Sequence, residues 1–298
     1  MDLSVFLQNS INIACARALP LAFFRPLLYA QGILYYCVYQ KEFCDIIKGL
    51  HWALRPESRS IGFYVKVLKT FAGVFEHYIE KLITAYLPLD QMIKLIRISV
   101  MIEDKNYLDE KLSAQKGCLL VTGHFGAVEF FPLTLAVNGY KVAMILNYKT
   151  SRLKQALLDR ALRTNIILID SMADDAFKKA INILKQGMIL VTVCDEFKHW
   201  KRDINNEVSV FGCSYPQDKT LDIFFKRARA PIVLGLIRRD KTEYRMHIQP
   251  IGDENTIENV CKEAWTSLED HILHSPEQWY NWQEFSRVVL SSSCWCAS

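Results

Sequence analysis

The sequence predicts an α/β fold: a mainly parallel central sheet flanked by helices, preceded by a helical N-terminal region. Three observations carry this reading. Short apolar runs alternate with segments of helical spacing from about residue 117 onward, the pattern of successive β–α units. The runs Cys118–Val121 and Met188–Cys194 are apolar with little alternation, as strands buried on both faces are. Before them, residues 57–84 place Ile61, Tyr64, Val65, Leu68, Phe71, Ala72, Phe75, Ile79 and Leu82 at helical spacing, so that one face is apolar.

Taken in order, residues 1–40 are apolar and helical, interrupted by Arg17 and Arg25, with breaks expected at Pro20 and Pro26. The longest uncharged run, Pro26 to Gln40, has 15 residues, short of the about 20 that span hydrocarbon. A helix lying in the headgroup zone is the expectation, with Phe23, Phe24, Tyr29, Tyr35, Tyr36 and Tyr39 at the interface. The alternative is packing on the protein's own core. No small-residue cleavage site follows a basic start, so no signal peptide is expected. The division expected is a membrane-associated helical segment over 1–40 and a single α/β domain over 41–298. Ile98–Ile102 reads as strand and Lys105–Gln115 as a short helix.

The centre of the chain is Gly117-Cys118-Leu119-Leu120-Val121-Thr122-Gly123-His124-Phe125-Gly126-Ala127-Val128-Glu129. A strand ends at a turn punctuated by Gly123 and Gly126, and a helix follows from about Ala127 to Asn138, distorted by Pro132. His124 thus falls at the carboxyl end of a strand, where open α/β sheets bind ligands. On one continuous helix, residues five apart point roughly 140° away from each other. With His124 in the turn, Glu129 can instead reach back, fix the tautomer and stabilise an imidazolium. The helix's positive end is expected to keep the resting imidazole neutral, as a general base requires.

Beyond the turn, Lys141–Leu146, Ile166–Ile169 and Met188–Cys194 read as strands. Helices over Ser151–Arg163, with Ser151 as cap, and Asp174–Lys185 separate them. Asp195-Glu196 then arrives at the edge that carries His124. Residues 197–220 are polar and irregular, a candidate lid or substrate loop. Asp218–Arg229 reads as helix, Pro231–Ile237 and Tyr244–Pro250 as neighbouring strands, and residues 255–274 as helix, before the aromatic segment Pro276–Trp282.

Composition narrows the class. A net charge of +4 suits an anionic lipid surface or phosphorylated substrates, and no nucleic-acid recognition motif accompanies it. Nine cysteines at 15, 37, 44, 118, 194, 213, 261, 294 and 296 include no Cys-x2-Cys pair. They read as reduced thiols of a cytosolic compartment, without a disulfide framework or a metal site.

Several blocks resemble the bacterial late acyltransferases of lipid A biosynthesis, the lauroyl/myristoyl-transferring family that includes phosphatidylinositol mannoside acyltransferases. Thr122-Gly123-His124-Phe125-Gly126-Ala127-Val128-Glu129 is similar to its Gly-His-Phe-Gly-x-x-Glu block, and Cys194-Asp195-Glu196 to its strand-ending aspartate. Val208-Ser209-Val210-Phe211-Gly212, Ala228-Arg229-Ala230-Pro231-Ile232-Val233 and Pro276-Glu277-Gln278-Trp279-Tyr280-Asn281-Trp282 resemble later blocks in the family's order. Two features depart from the pattern. Asn147 stands where the family has an arginine, with Lys149 or Arg152 as neighbouring sources of charge, and Gln283-Glu284-Phe285-Ser286 replaces the family's terminal basic residues.

The resemblance implies a glycerolipid acyltransferase-like fold. It also implies O-acyl transfer from an acyl carrier protein (ACP) or coenzyme A (CoA) thioester to a hydroxyl of a membrane lipid or glycolipid, at the cytoplasmic face of the bacterial inner membrane. His124 and Glu129 are then the catalytic pair, and Gly126, Asn147, Lys149, Arg152 and Asp195 the residues meeting substrate, with no metal or cofactor. Asp195 would brace the site or bind the acceptor. The oxyanion donors would be backbone N–H groups near Phe125 to Ala127 or a basic side chain. A thioesterase using the same pair and a non-catalytic lipid-binding protein are the competing readings.

Overall fold

A computed structural model describes residues 3–55, 60–113, 116–197, 202–241, 243–252 and 257–290. Helices α1 (Leu3–Leu7), α2 (Ser10–Ala18), α3 (Leu21–Val38) and α4 (Gln40–Ala53) lead into the long α5 (Ile61–Tyr86). The Asn9 side chain caps α2 and that of Ser60 caps α5, each accepting a free N–H of the first turn. Pro20 sets the break before α3, where its missing N–H costs nothing. Pro26 lies inside α3 without dividing it.

The aromatic side chains of α3 turn inward more than the sequence suggested. Phe24, Tyr35 and Tyr36 are buried. Tyr36 meets Phe71 and Phe75 of α5 edge-on or tilted, and the Tyr29 hydroxyl donates to Glu76 across 3.0 Å. Packing on α5 captures these rings, and the exposed face of α3 is formed by Phe23, Ile33, Leu34 and Val38. By length and composition α3 is long and apolar enough to cross a membrane. Buried residues of α1, α2 and α3 belong to the same hydrophobic core as those of the sheet.

After α6 (Leu89–Ser99), β1 (Val100–Ile102) and α7 (Lys105–Ser113), the chain enters the sheet at β2 (Cys118–Thr122). A one-turn 3₁₀ segment (Val128–Phe130) and α8 (Phe131–Val137) follow, with Pro132 in the first turn of α8. The expected single helix over 127–138 is therefore shorter and opens with a 3₁₀ turn. Then come β3 (Val142–Leu146), α9 (Ser151–Thr164), β4 (Ile167–Asp170), α10 (Ala176–Lys185) and β5 (Ile189–Val193). Thr150, not Ser151, caps α9, its hydroxyl accepting from the Leu153 N–H.

Residues expected to form an irregular lid make an antiparallel hairpin, β6 (Arg202–Val210) with β7 (Cys213–Asp218). Val208-Ser209-Val210 at the end of β6 alternates β-branched and polar residues, but the polar composition around it masks the strand. Then come α11 (Thr220–Ala228), β8 (Ile232–Asp240), β9 (Glu243–Pro250), α12 (Val260–His274) and short helical turns over Pro276–Gln278, Trp282–Glu284 and Phe285–Leu290.

The seven-stranded sheet has the order β1-β9-β8-β2-β5-β3-β4. β8, β2, β5, β3 and β4 are mutually parallel; β9 runs against β8, with β1 parallel to β9. Every residue of β2 is buried, so truncating Leu119 or Leu120 to alanine would cost roughly 2–5 kcal/mol. The cysteines at 15, 37, 44, 118, 194, 213 and 261 are free thiols; Cys294 and Cys296 lie outside the described residues.

Candidate active site

Strand register brings the site together. β2 and β5 are parallel neighbours with Thr122 opposite Val193. His124 and Asp195 each follow two residues beyond, on adjacent strands at the carboxyl edge of the sheet. There His124 Nδ1 lies 2.8 Å from Asp195 Oδ1. The other carboxylate oxygen, Oδ2, accepts the His124 backbone N–H at 2.8 Å and the Trp279 indole N–H at 2.6 Å. Asp195 is wholly buried. Burial pushes its carboxyl up, but His124 and the donated hydrogen bonds outweigh this and hold it below the usual carboxylate value. An ionised Asp195 requires the proton on Nδ1, which leaves Nε2 as the acceptor nitrogen. Asn281 Nδ2 is 3.1 Å from Nδ1. With Nδ1 protonated, that amide donates instead to the Asp195 carbonyl oxygen, 2.9 Å away.

The ring's own proton affinity follows. Burial lowers it, Asp195 raises it by charge and hydrogen bond, Glu196 adds to the rise and Lys81 opposes it; the net shift is upward from the ordinary value. The expectation that a helix end holds the imidazole neutral is therefore corrected. The turn that carries the ring leads into a one-turn 3₁₀ segment, not directly into an α-helix, and the dominant neighbour is an anion. Glu196 Oε2 sits 3.8 Å from Nε2.

The C-terminal aromatic segment locks the turn in place. Gly126 N–H donates to the Gln278 carbonyl at 2.7 Å and Tyr280 N–H to that of His124 at 3.2 Å. The Tyr280 ring meets the His124 ring edge-on at 4.8 Å, and stacks on His77 of α5 at 3.5 Å. Gly126 has φ +57°, and a Cβ there would lie 1.8 Å from the Ile237 carbonyl oxygen; only glycine meets both demands. From below, Arg239 donates to the Gly126 carbonyl at 2.7 Å. Its guanidinium is held in a fork by the buried Glu80 carboxylate at 2.6 and 2.9 Å. Gln278 in turn exchanges hydrogen bonds with the Arg239 backbone.

The His124 ring, 18% exposed, lines a cavity of about 170 Å³ together with Lys81, Glu129, Asn147, Lys149 and Glu196. A second cavity of about 400 Å³ shares the wall formed by Ile145, Leu146, Asn147, Val193 and Glu196, and is also lined by Phe177, Ile223 and Phe224. Polar walls around the ring thus meet an apolar slot. Among the described residues no group of three or more His, Cys, Asp or Glu side chains is placed to hold a metal ion.

The residues singled out from the sequence are distributed unevenly. His124, Glu129, Asn147 and Lys149 share the cavity. Asp195 lies behind the ring and occupies the place that the sequence assigned to Glu129. Glu129 itself is 3.3 Å from Lys81 Nζ and 3.8 Å from His77 Nε2; the 3₁₀ turn carries it toward α5. The Gly126 amide and carbonyl are both engaged by protein partners, so its part is to shape the turn. Arg152 points elsewhere, donating to Ser10 Oγ at 2.8 Å. Sequence reasoning missed Lys81, Glu196, Trp279 and Asn281. Trp279 and Asn281 lie within a block already noted for its likeness, and Glu196 is adjacent to Asp195. Lys81 carried no signal beyond its place on an amphipathic helix.

A family model described as bacterial lipid A biosynthesis acyltransferase matches residues 66–284. No curated protein matches the chain.

Proposed function

The chain belongs to the bacterial lipid A biosynthesis acyltransferase family and is an acyltransferase; from that premise we propose that His124 is its general base and Asp195 the acid that orients it. The acyl chain moves from an ACP or CoA thioester to a hydroxyl of a lipid A-type acceptor. The observation that supports this most is the 2.8 Å Nδ1 contact with a buried, ionised Asp195, which leaves Nε2 to the cavity. Nε2 takes the proton of the acceptor hydroxyl as its oxygen attacks the thioester carbonyl. Asp195 stabilises the resulting imidazolium. The apolar cavity behind Asn147 has the character to take the acyl chain, while the polar cavity receives the acceptor head group.

Seating at the cytoplasmic face of the bacterial inner membrane completes the proposal. Phe23 at 67% exposure and Val38 at 75%, with Ile33 and Leu34, give α3 an apolar outer face. Since α1–α3 also contribute to the core, substitution tests this better than deletion. Replacing those side chains by serine should release the protein from anionic vesicles in flotation, and unchanged partition contradicts the membrane role.

The reaction is tested by incubating purified protein with lauroyl-ACP or lauroyl-CoA, with and without a lipid A precursor, and measuring acylated lipid against free laurate. Acceptor-dependent acylated lipid is the expected product. Free laurate alone, regardless of acceptor, would identify a thioesterase.

A further inference from the structure

Attack on a thioester pushes negative charge onto the carbonyl oxygen, and the site must hold a donor for it. The turn's amides are largely committed. His124 N–H serves Asp195, Gly126 N–H serves Gln278, and Ala127 N–H serves the Ile237 carbonyl at 2.8 Å. Arg239 is consumed by Glu80 and the Gly126 carbonyl. Asn147 supplies no charge. Lysines at 81 and 149 line the cavity that contains the His124 ring; Lys149 is exposed, whereas the Lys81 side chain is only 17% exposed.

We propose that Lys81, held in place by Glu129, is the cation that stabilises the tetrahedral oxyanion during acyl transfer. The inference rests on the acyl-transfer reading above. His77, Glu80 and Lys81 occupy one face of α5, three and four residues apart, and that face forms a wall of the site. Glu80 braces the turn through Arg239, His77 backs Tyr280, and Lys81 reaches Glu129 at 3.3 Å. Glu129 is thus a positioning residue acting through Lys81, while Asp195 serves His124. Lys81 is near enough to the ring for its charge to oppose protonation there.

The step balances as follows. The acceptor oxygen bonds to the carbonyl carbon, its proton passes to His124 Nε2, and the carbonyl π pair moves to oxygen beside Lys81. On collapse that pair re-forms the carbonyl, the C–S bond breaks, and the departing thiolate takes the proton from the imidazolium. An ester and a thiol result.

The test is steady-state transfer of laurate from lauroyl-ACP and lauroyl-CoA to a lipid A precursor in phospholipid vesicles, using full-length protein. Lys81→Met should lower kcat by about 10²–10³-fold with KM for the thioester within about threefold. Lys81→Arg should recover at least about tenfold of that loss. Removing the charge should also move the acid limb of the kcat/KM profile to higher pH, because Asp195 and Glu196 then face the ring unopposed. Glu129→Gln should cost about tenfold alone and nothing further in the Lys81→Met background, the sign of a shared interaction. A kcat loss under tenfold for Lys81→Met, or an equal Glu129→Gln penalty in both backgrounds, overturns the proposal. If Lys81→Met melts below the assay temperature, Lys81→Gln carries the same comparison. A wild-type protein inactive on both thioesters defeats the acyl-transfer reading itself. An active wild type with inert His124→Ala and unimpaired Lys81→Met defeats Lys81 alone.

Discussion

The Trp279 indole N–H donates to Asp195 Oδ2 across 2.6 Å, so a residue near the end of the chain fixes the acid at the end of β5. Phe211 packs against that indole at 5.6 Å, at the tip of the β6–β7 hairpin. Trp279→Phe should keep the packing and remove the bond. We expect kcat to fall about tenfold, with the Asp195 carboxyl rising in pKa; an unchanged kcat would show that two remaining donors suffice.

Asp195→Asn replaces the anion with an amide that can force the wrong imidazole tautomer. Transfer should fall on the order of 10²–10⁴-fold, with KM little altered. Circular dichroism and melting curves would confirm that the fold survives.

Glu196 raises the proton affinity of His124 from 3.8 Å away. His124 works as a base only when neutral, so activity is lost as pH falls through its pKa. That limb should lie above the ordinary 6.5 in the wild type. In Glu196→Gln it should move to lower pH, and a profile that does not move would show Glu196 to be electrically remote.

His77 is fully buried, and burial first, then Lys81 and Arg239, hold its pKa well below 6.5. Its unfolded form takes up a proton below about pH 6.5 that the native form refuses. Stability present above that value is therefore lost as pH falls, at up to about 1.4 kcal/mol per pH unit. Chemical denaturation of wild type and His77→Phe should give a stability difference that grows in the variant's favour below pH 6.5. A pH-independent difference would contradict this.

Arg239 and Glu80 form a buried fork beneath Gly126. Glu80→Gln leaves a guanidinium without its anion and should cost about 3–5 kcal/mol, measurable by urea unfolding. A loss below about 1 kcal/mol would mean that the pair is dispensable to the turn.

Much of this arrangement was legible in the chain. Buried parallel strands announce themselves as apolar runs, and β2 and β5 were placed within a residue of their observed bounds. The edge shared by His124 and Asp195 followed from parallel order. Which acid serves the ring did not, because register and turn geometry decide it. Thr122 opposite Val193 is a long-range fact, and a 3₁₀ turn swings Glu129 toward α5. Local spacing favoured Glu129 since it lay five residues away, while Asp195 lay on another strand. The hairpin over 202–218 was obscured by polar residues. The tyrosines of α3 suit a membrane interface and the protein's own core alike when read from sequence, because their partners on α5 are remote along the chain.

The central claim is that the His124 ring removes the acceptor's proton. Its most direct test is the single-turnover rate of laurate transfer by His124→Ala, shown folded by its melting curve and saturated with thioester and acceptor. The account predicts essentially no acylated lipid over many wild-type half-lives, with thioester binding retained. Transfer at the wild-type rate would contradict it.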